Sequence, residues 1–197
     1  MNVGAVVLAA GAGSRFGGGK LRATLDGRPI VRHVIDAAVA AGLDPVVIVV
    51  PPDGAFESLD LAPATQVTNP APQEGLSSSV RIGLRALDAD AAHAVDAAVI
   101  LPGDQPRVRP AVIEALMAAA ADSPGTPFIV PRYRDDAAPN PILARRAIWR
   151  LADELAGDRG FGPVLAAHPE LVGHVPVDGT NPDVDTVEDL RRLEGVS

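Results

Sequence analysis

Short apolar runs alternate with amphipathic stretches along the chain. Continuous apolar runs bounded by glycine and proline are typical of buried strands, whereas apolar positions three and four residues apart indicate helices. The runs that predict strands are residues 3–9, 46–50, 66–68, 97–101, 128–130 and 171–177, with a shorter extended segment at 139–143. The stretches that predict helices are residues 30–41, 76–87, 110–121, 144–155, 161–167 and 187–193. Because strands alternate with helices, the pattern predicts an α/β fold with βαβ crossovers and a mostly parallel sheet.

A glycine-rich loop follows the first predicted strand. Residues 8–20 read LAAGAGSRFGGGK and contain five glycines together with Arg15 and Lys20. Glycine lets the backbone turn tightly, and successive N–H groups in such a turn form a concave anion site. Ligands of open α/β sheets bind beyond the carboxyl ends of the strands, where this loop is expected to lie. The loop therefore predicts a receptor for a polyphosphate and hence nucleotide chemistry.

Two common phosphate-binding motifs do not fit this loop. A P-loop needs a hydroxyl residue directly after its lysine, where the chain has Leu21. A dinucleotide fingerprint needs a glycine where Phe16 stands and an acidic residue after the second strand, which instead runs into Pro51 and Pro52. An ordinary surface turn is the alternative interpretation. Most connections between elements have only about 4–6 residues, however, and this loop is longer.

Length, cysteine content and charge limit the possible functions. The chain has 197 residues, which predicts one domain spanning 1–197. It has no cysteine, so disulfides, thiolate metal ligands and a cysteine nucleophile are excluded. Its net charge of -8 argues against a nucleic-acid partner, which would require a basic face. No apolar run approaches the ~20 residues of a membrane span, and no signal-peptide pattern is present, so we expect a cytoplasmic protein with no membrane partner.

Two aspartates stand where a divalent metal ion could bind. Asp104 follows the predicted strand 97–101, and Asp185 precedes the last predicted helix. Magnesium often takes one or two carboxylates plus substrate phosphates, so Asp104 predicts a Mg²⁺ site; a helix-capping turn is the alternative. Two roles stay open for Asp185: a second carboxylate for the metal, or support for the final helix beside a capping box of Thr186 and Asp189.

Three serines, Ser77 to Ser79, open the helix that follows the third predicted strand. One serine is enough to cap a helix, whereas hydroxyls beside free helix N–H groups suit a base or a phosphate. We place Ser77 and Ser78 near the base or ribose of a nucleotide. Residues 157–160, GDRG, offer Arg159 to a second anionic group.

Taken in order, these segments resemble the MobA-like nucleotidyltransferase family over almost the whole chain. The segments that carry the resemblance are residues 8–20, 74–79, 101–106, 157–160 and 183–190. The resemblance implies a Rossmann-like three-layer α/β/α nucleotidyltransferase fold. Within the family the chain looks most like the molybdenum cofactor cytidylyltransferases (MocA type), which join CTP and molybdopterin and release pyrophosphate. Related guanylyltransferases tend to have glycine where Ala10 stands, and the family often has Gly-His-Pro, in a region that helps to hold the acceptor, where residues 139–141 read Pro-Asn-Pro.

The reaction implied by this resemblance is attack by an acceptor phosphate on the α-phosphorus of the nucleotide. The acceptor phosphate is already ionised, so catalysis needs no general base and rests on positioning and charge neutralisation. The expected catalytic residues are Lys20, Arg15 and Asp104. The expected nucleotide-binding residues are Leu8, Ala9, Ala10, Gly11, Gly13, Ser14, Arg15, Lys20, Ser77, Ser78 and Asp104. The expected cofactor is Mg²⁺ on Asp104 and Asp185, and the expected partners are CTP, molybdopterin and a molybdoenzyme.

Three other functions compete with this hypothesis. A related nucleotidyltransferase would use GTP or a different phosphorylated acceptor. A non-catalytic carrier would bind the molybdenum cofactor without releasing pyrophosphate, although Lys20 and Asp104 favour catalysis. An NAD-dependent oxidoreductase would need the acidic residue that is missing after Val50.

Overall fold

The computed structural model of the chain describes residues 1–11, 13–134 and 138–195, and for Ser14 the backbone alone. The strands in these ranges are β1 (Val3–Leu8), β2 (Thr24–Leu25), β3 (Arg28–Pro29), β4 (Val46–Val50), β5 (Thr65–Thr68), β6 (Ala97–Pro102), β7 (Phe128–Arg132), β8 (Ile142–Arg145) and β9 (Val172–Pro176). The α-helices are α1 (Ile30–Ala40), α2 (Leu76–Ala89), α3 (Pro110–Asp122), α4 (Gly162–Ala167) and α5 (Val187–Glu194). Within the described ranges, no helix combines the length and the apolar character needed to cross a membrane.

Seven of the described strands form one sheet in the order β5-β4-β1-β6-β8-β7-β9. The strand β1 lies inside the sheet, where Ala5 pairs in parallel with Val46 of β4 and Val99 of β6. The strand β8 runs antiparallel to both of its neighbours, β6 and β7, while the other described pairs in this sheet are parallel. The prediction of a mostly parallel sheet is therefore confirmed.

Side chains of β1 alternate between two cores, one on each face of the sheet. Val3, Ala5 and Val7 belong to the core formed with α1, α3 and α5. Val6 and Leu8 belong to the opposite core, formed with α2 and the region around α4. A strand that is buried on both faces needs apolar side chains at every position, which explains the continuous apolar run. The result is the expected three-layer α/β/α arrangement, with the sheet between two layers of helices.

Two parts of the chain differ from the sequence prediction. The predicted helix 144–155 begins as a strand, because Ala144 and Arg145 complete β8 and only Arg146–Glu154 turns, as a 3₁₀ helix. Ala144 pairs with β6 on one side and with β7 on the other, and this long-range pairing overrides the local helical pattern. The hairpin of β2 and β3 has no counterpart in the prediction, because two-residue strands show no periodic pattern.

The carboxyl ends of β1, β4 and β6 lie at one edge of the sheet, because these strands are parallel. Since β8 runs in the opposite direction, the residues that precede it, ending at Pro141, reach the same edge. The loops after three parallel strands and the segment before one antiparallel strand therefore meet there.

Candidate functional site

Two adjoining cavities lie at this edge of the sheet. The first cavity has a volume of about 450 Å³ and lies where β1 and β4 end. The second cavity, of about 640 Å³, lies where β1 and β6 end. The residues that border both are Ala10, Gly11, Lys20, Leu21, Pro72 and Gln73. This position agrees with the rule that ligands bind beyond the carboxyl ends of parallel strands.

Glycines shape the loop after β1. Residues 17–19 are glycines with φ angles of 88°, 91° and 67°, a left-handed region that favours glycine. The amide N–H groups of Phe16 and Gly18 both donate to the carbonyl oxygen of Gly13, at 3.0 and 3.2 Å, and so close the turn. The 3₁₀ turn Lys20–Arg22 follows and brings the chain back to the cavities.

Most of the predicted nucleotide-binding residues border these cavities. Ala9 lines the first cavity. Those that line the second are Leu8, Ala10, Gly11, Gly13, Arg15, Lys20 and Asp104. The side chain of Ser14 lies outside the described residues, as does Ala12 of the same loop.

The side chain of Lys20 joins the two predicted metal-binding aspartates. Its Nζ lies 2.7 Å from Oδ2 of Asp104 and 3.1 Å from Oδ1 of Asp185. The Lys20 side chain is only 11% exposed, and that of Asp104 is 26% exposed. Charge-assisted hydrogen bonds are stronger where water is scarce, so the ammonium group is held firmly between the two carboxylates.

Arg15 also contacts one of these aspartates, Asp185, but more weakly than Lys20 does. Its Nη1 lies 3.4 Å from Oδ2 of Asp185, and its side chain is 80% exposed. Ion pairs this exposed contribute only about 0–1 kcal/mol. The guanidinium group can therefore turn towards an anion in the second cavity at little cost.

The charges of this cluster shift two pKa values. Burial alone would lower the pKa of Lys20, but its hydrogen bonds and charge interactions with Asp104 and Asp185 outweigh burial and raise that pKa above its ordinary value of 10.5. Asp183 is exposed at the rim, yet the protein atoms around its carboxyl remove part of its hydration and raise its pKa above 3.8. The negative charges of Asp104 and Asp185 raise it further, while a hydrogen bond from Gln105 opposes the shift. The second cavity is therefore rich in negative charge around one buried ammonium group.

Gln105 connects the loop after β6 to the segment before α5. Its side chain is buried; Nε2 donates to Oδ1 of Asp183 at 2.7 Å, and Oε1 accepts from Nδ2 of Asn181 at 2.8 Å. The amide N–H of Val184 also donates to the carbonyl oxygen of Asp104, at 2.9 Å. These bonds hold two segments that are distant in sequence side by side, and so bring their carboxylates together.

The side chain of Asp185 does not cap the last helix. The capping box of α5 consists of Thr186 and Asp189, whose side chains each accept from the backbone N–H of the other, at 3.2 and 2.8 Å. The backbone N–H of Asp185 donates to the same Asp189 carboxylate at 3.2 Å. Its own carboxylate is left to pair with Lys20 and Arg15.

Two carboxylates, and not a larger cluster, are available for a metal ion. In residues 1–11, 13–134 and 138–195, no group of three or more histidine, cysteine, aspartate or glutamate side chains is arranged to hold one. Asp104 and Asp185 contact the same ammonium group and so lie close to each other. A pair of this kind suits an ion that takes its remaining ligands from phosphates and water.

The structure separates the three serines at the start of α2. Ser77 is buried, and its Oγ has no hydrogen-bond partner in the described structure. Ser78 is buried too; its Oγ donates to the carbonyl oxygen of Gly75 and accepts from Nδ2 of Asn69, both at 2.8 Å. Only Ser79 of the three lines the second cavity. The geometry thus favours Ser79, which sequence reasoning did not select, over Ser77 and Ser78.

Contacts that form only on folding bring further residues to the second cavity. These are Asn140, Asp158 and Asp183. Residues 157 and 158 pack closely against Gly75. A Cβ added to Gly75 would lie 2.4 Å from the carbonyl carbon of Gly157 and 2.6 Å from Oδ1 of Asp158, so this close approach requires a glycine. Arg159, in contrast, lines neither cavity. These segments are far apart in sequence, so their local patterns do not predict that they meet; only the family resemblance groups them with the glycine-rich loop.

The first cavity is completed by the residues after β4. Its apolar walls are Pro51, Pro52, Ala55 and Phe56. Arg22 adds a guanidinium group that forms no salt bridge within the described part of the chain. Pro51 and Pro52, which stand where a dinucleotide fingerprint would need an acidic residue, thus form part of the wall of this cavity.

Comparison with known proteins agrees with this geometry. Residues 5–172 match the MobA-like NTP transferase domain. The 2-C-methyl-D-erythritol 4-phosphate cytidylyltransferase of Cereibacter sphaeroides strain KD131 is 32% identical over 136 residues, which cover 66% of this chain and 59% of that protein. The chain also matches bifunctional proteins, of which it spans less than half.

Solved structures extend the likeness to the whole chain. Rv0371c from Mycobacterium tuberculosis H37Rv is 27% identical, with a TM-score of 0.84 and coverage of 99% of this chain and 98% of that one. A complex of Rv0371c with manganese is 26% identical, with a TM-score of 0.77 and full coverage of both chains. The sequence match, the shared fold and the charged site beside a glycine-rich loop together show that the chain belongs to the MobA-like NTP transferase family.

Proposed function

We propose that the protein is a cytidylyltransferase, which transfers CMP from CTP to a phosphorylated acceptor and releases pyrophosphate. The observation that carries the proposal is the Lys20 ammonium group, held between Asp104 and Asp185 where two cavities meet. One cavity can take the nucleotide and the other the acceptor, with positive charge between them. The cytidylyltransferase among the relatives supports CTP as the donor.

The first cavity suits the base and ribose of the nucleotide. Its apolar walls offer a surface for a flat ring, and Gln73 and Arg22 offer polar groups, a combination typical of small-molecule sites. The methyl group of Ala10 narrows the border between the cavities, which is compatible with a pyrimidine. The triphosphate would then lie along the glycine-rich turn, towards Lys20.

The carboxylate pair fits magnesium, the ion proposed for this site. Asp104 and Asp185 would hold the ion, and phosphate oxygens would supply further ligands. When bound, the ion would neutralise negative charge on the phosphates. The manganese complex of Rv0371c supports the use of a divalent ion.

The chain's own residues would position the reactants and offset charge. An oxygen of the acceptor phosphate forms a bond to the α-phosphorus, while the bond from that phosphorus to the oxygen bridging to the β-phosphate breaks. The electron pair of the broken bond leaves with pyrophosphate. Lys20 and Arg15 would stabilise the negative charge that grows on the leaving group. No side chain has to remove a proton, since the acceptor phosphate is already ionised.

The acceptor would occupy the second cavity, between Asn140 and the aspartates. We propose molybdopterin as the acceptor, because the sequence resembles molybdenum cofactor cytidylyltransferases. A polyol phosphate is the second candidate, since Asp158 and Asp183 can accept hydrogen bonds from hydroxyls and a relative acts on 2-C-methyl-D-erythritol 4-phosphate. Either acceptor would present its phosphate to Lys20 and Arg15.

The test is pyrophosphate release from ATP, CTP, GTP and UTP with Mg²⁺, in the presence and absence of each acceptor. We expect release from CTP that depends on one acceptor. Binding of molybdopterin without release from any nucleotide would indicate a carrier, and release from GTP alone would indicate a guanylyltransferase. Each of these two results would overturn the proposal.

Asp104→Ala should lower turnover by about 10²–10³-fold, the effect of removing one charge-stabilising group, while the fold survives. Asp178→Ala is the matched control, because Asp178 is exposed and lines neither cavity. Circular dichroism checks the fold of both variants. Full activity of Asp104→Ala with Mg²⁺ present would contradict the assigned role.

A further inference from the structure

Lys20 is the only lysine in the chain, and the other sixteen of its seventeen lysine and arginine residues are arginines. Arginine holds a carboxylate with a rigid, forked guanidinium group, whereas lysine carries a compact charge on a flexible stem. Among the residues that the structure describes, this lysine is the cation that contacts the carboxylates of both Asp104 and Asp185. A compact and movable charge is therefore found where two negative groups converge.

The contacts of Lys20 use oxygens that a divalent ion would also use. Nζ lies against Oδ2 of Asp104 and Oδ1 of Asp185, and these side chains are 26% and 45% exposed. An ammonium group and a divalent ion repel each other and cannot share the same short contacts. A divalent ion that takes these two oxygens would therefore displace the ammonium group from them.

We propose, on the basis of the proposed function, that Lys20 is an internal counter-ion that a divalent metal displaces when the nucleotide binds. Without a ligand, the ammonium group offsets part of the negative charge of Asp104 and Asp185. When metal and triphosphate arrive together, the metal takes the carboxylates and the lysine moves to the phosphates. Lys20 borders both cavities, so its flexible stem can serve either position.

Metal binding and nucleotide binding are coupled by this exchange. Metal alone has to displace the ammonium group with no new anion to receive it, so it binds weakly. A bound triphosphate offers the ammonium group another partner and frees the carboxylates. Linkage requires that metal and nucleotide increase each other's affinity by the same factor, typically about 5- to 150-fold.

Titration with Mn²⁺ alone, followed by electron paramagnetic resonance, tests the exchange without turnover. Lys20→Met and Lys20→Gln should bind Mn²⁺ at least about tenfold more tightly than the wild type, in the middle of the range for coupled sites. Arg22→Met is the matched control, because it removes one positive charge from the first cavity but leaves Lys20 on its carboxylates. Lys20→Arg should not tighten binding, since a guanidinium group can still hold the carboxylates. The double variant Lys20→Met with Asp104→Asn should lose the gain.

The wild type provides a measurement that depends on no variant. Because the chain has one lysine, ¹⁵N-lysine labelling gives a single side-chain ammonium signal in the NMR spectrum. The signal should shift strongly when Mg²⁺ and a non-hydrolysable CTP analogue are added together, and much less with Mg²⁺ alone. An ammonium signal that stays unchanged in the ternary mixture would overturn the exchange.

Unchanged or weaker Mn²⁺ binding in folded Lys20→Met would also overturn it. The proposed function fails separately, if no nucleotide releases pyrophosphate with any acceptor. Tighter Mn²⁺ binding in the lysine variants without pyrophosphate release would keep the exchange and reject the reaction. Pyrophosphate release without tighter Mn²⁺ binding would keep the reaction and reject the exchange.

Discussion

The substitution Gly75→Ala tests the contact between the start of α2 and residues 157–160. Gly75 has φ 89° and ψ -176°, a region essentially restricted to glycine that strains other residues by about 1–3 kcal/mol. The added Cβ would lie 2.4 Å from the carbonyl carbon of Gly157 and 2.6 Å from Oδ1 of Asp158. Overpacking of this kind destabilises by about 1–3 kcal/mol in addition. The variant should therefore lose stability through both backbone strain and collision.

Gly42→Ala is the control, because it puts alanine at a positive φ without a collision. Gly42 has a φ of 79°, but nothing lies within 4 Å of a Cβ added there. Both variants put alanine at a positive φ, and only Gly75→Ala also collides with a neighbouring segment. We expect Gly75→Ala to be less stable than Gly42→Ala by about 1–3 kcal/mol, and each kcal/mol lowers Tm by about 2–4 °C in a protein of this size.

Thermal unfolding followed by circular dichroism measures the difference between the two variants. If residues 157–160 move away to relieve the collision, Asp158 leaves the second cavity. The KM for the acceptor should then rise while the KM for CTP changes less. Equal Tm values for the two variants, with an unchanged acceptor KM, would refute this reasoning.

Two further predictions concern the second cavity. Asp183→Asn should raise the free energy of unfolding at neutral pH. Because the pKa of Asp183 is raised in the folded protein, the folded state binds a proton more tightly than the unfolded state does. The wild type therefore loses stability as the pH rises above 3.8. Urea unfolding near pH 3.8 and at neutral pH should show a smaller difference in stability for the variant than for the wild type, and an unaltered difference would count against the prediction. Ser79→Ala should raise the acceptor KM, whereas Ser77→Ala removes a buried hydroxyl that has no partner and should leave kcat and KM unchanged. Equal kinetic effects of the two serine variants would reject this distinction.

The strands that could be predicted from the sequence are those buried on both faces. β1 and β4 are apolar at every position, and their predicted and observed bounds agree to within one residue. β8 is different, because its last two residues begin a stretch with a helical pattern. Its conformation is fixed by pairing with β6 and β7, which a local pattern does not contain.

The same distinction applies to the site. Lys20 and Asp104, which line the second cavity, could be selected from the sequence because glycine-rich loops and acidic loops after strands are local signals; their catalytic roles stay predictions. The local pattern alone gave no role to Asp158 or Asn140, because their position depends on contacts between distant segments; the family resemblance drew attention to residues 139–141 and 157–160. The single domain, the cytoplasmic location and the molybdenum cofactor partner stay predictions.

The reversed direction of β8 has a consequence for how this protein could diverge. The wall of the first cavity comes from segments before residue 74, whereas Asn140 and the aspartates from Asp158 to Asp185, which line the second cavity, come from the later part of the chain. Insertions or exchanges just upstream of the antiparallel strand would remodel the second cavity, the proposed acceptor site, without disturbing the loops that form the first. One half of the molecule can therefore be inherited unchanged while the other is adapted to a new recipient.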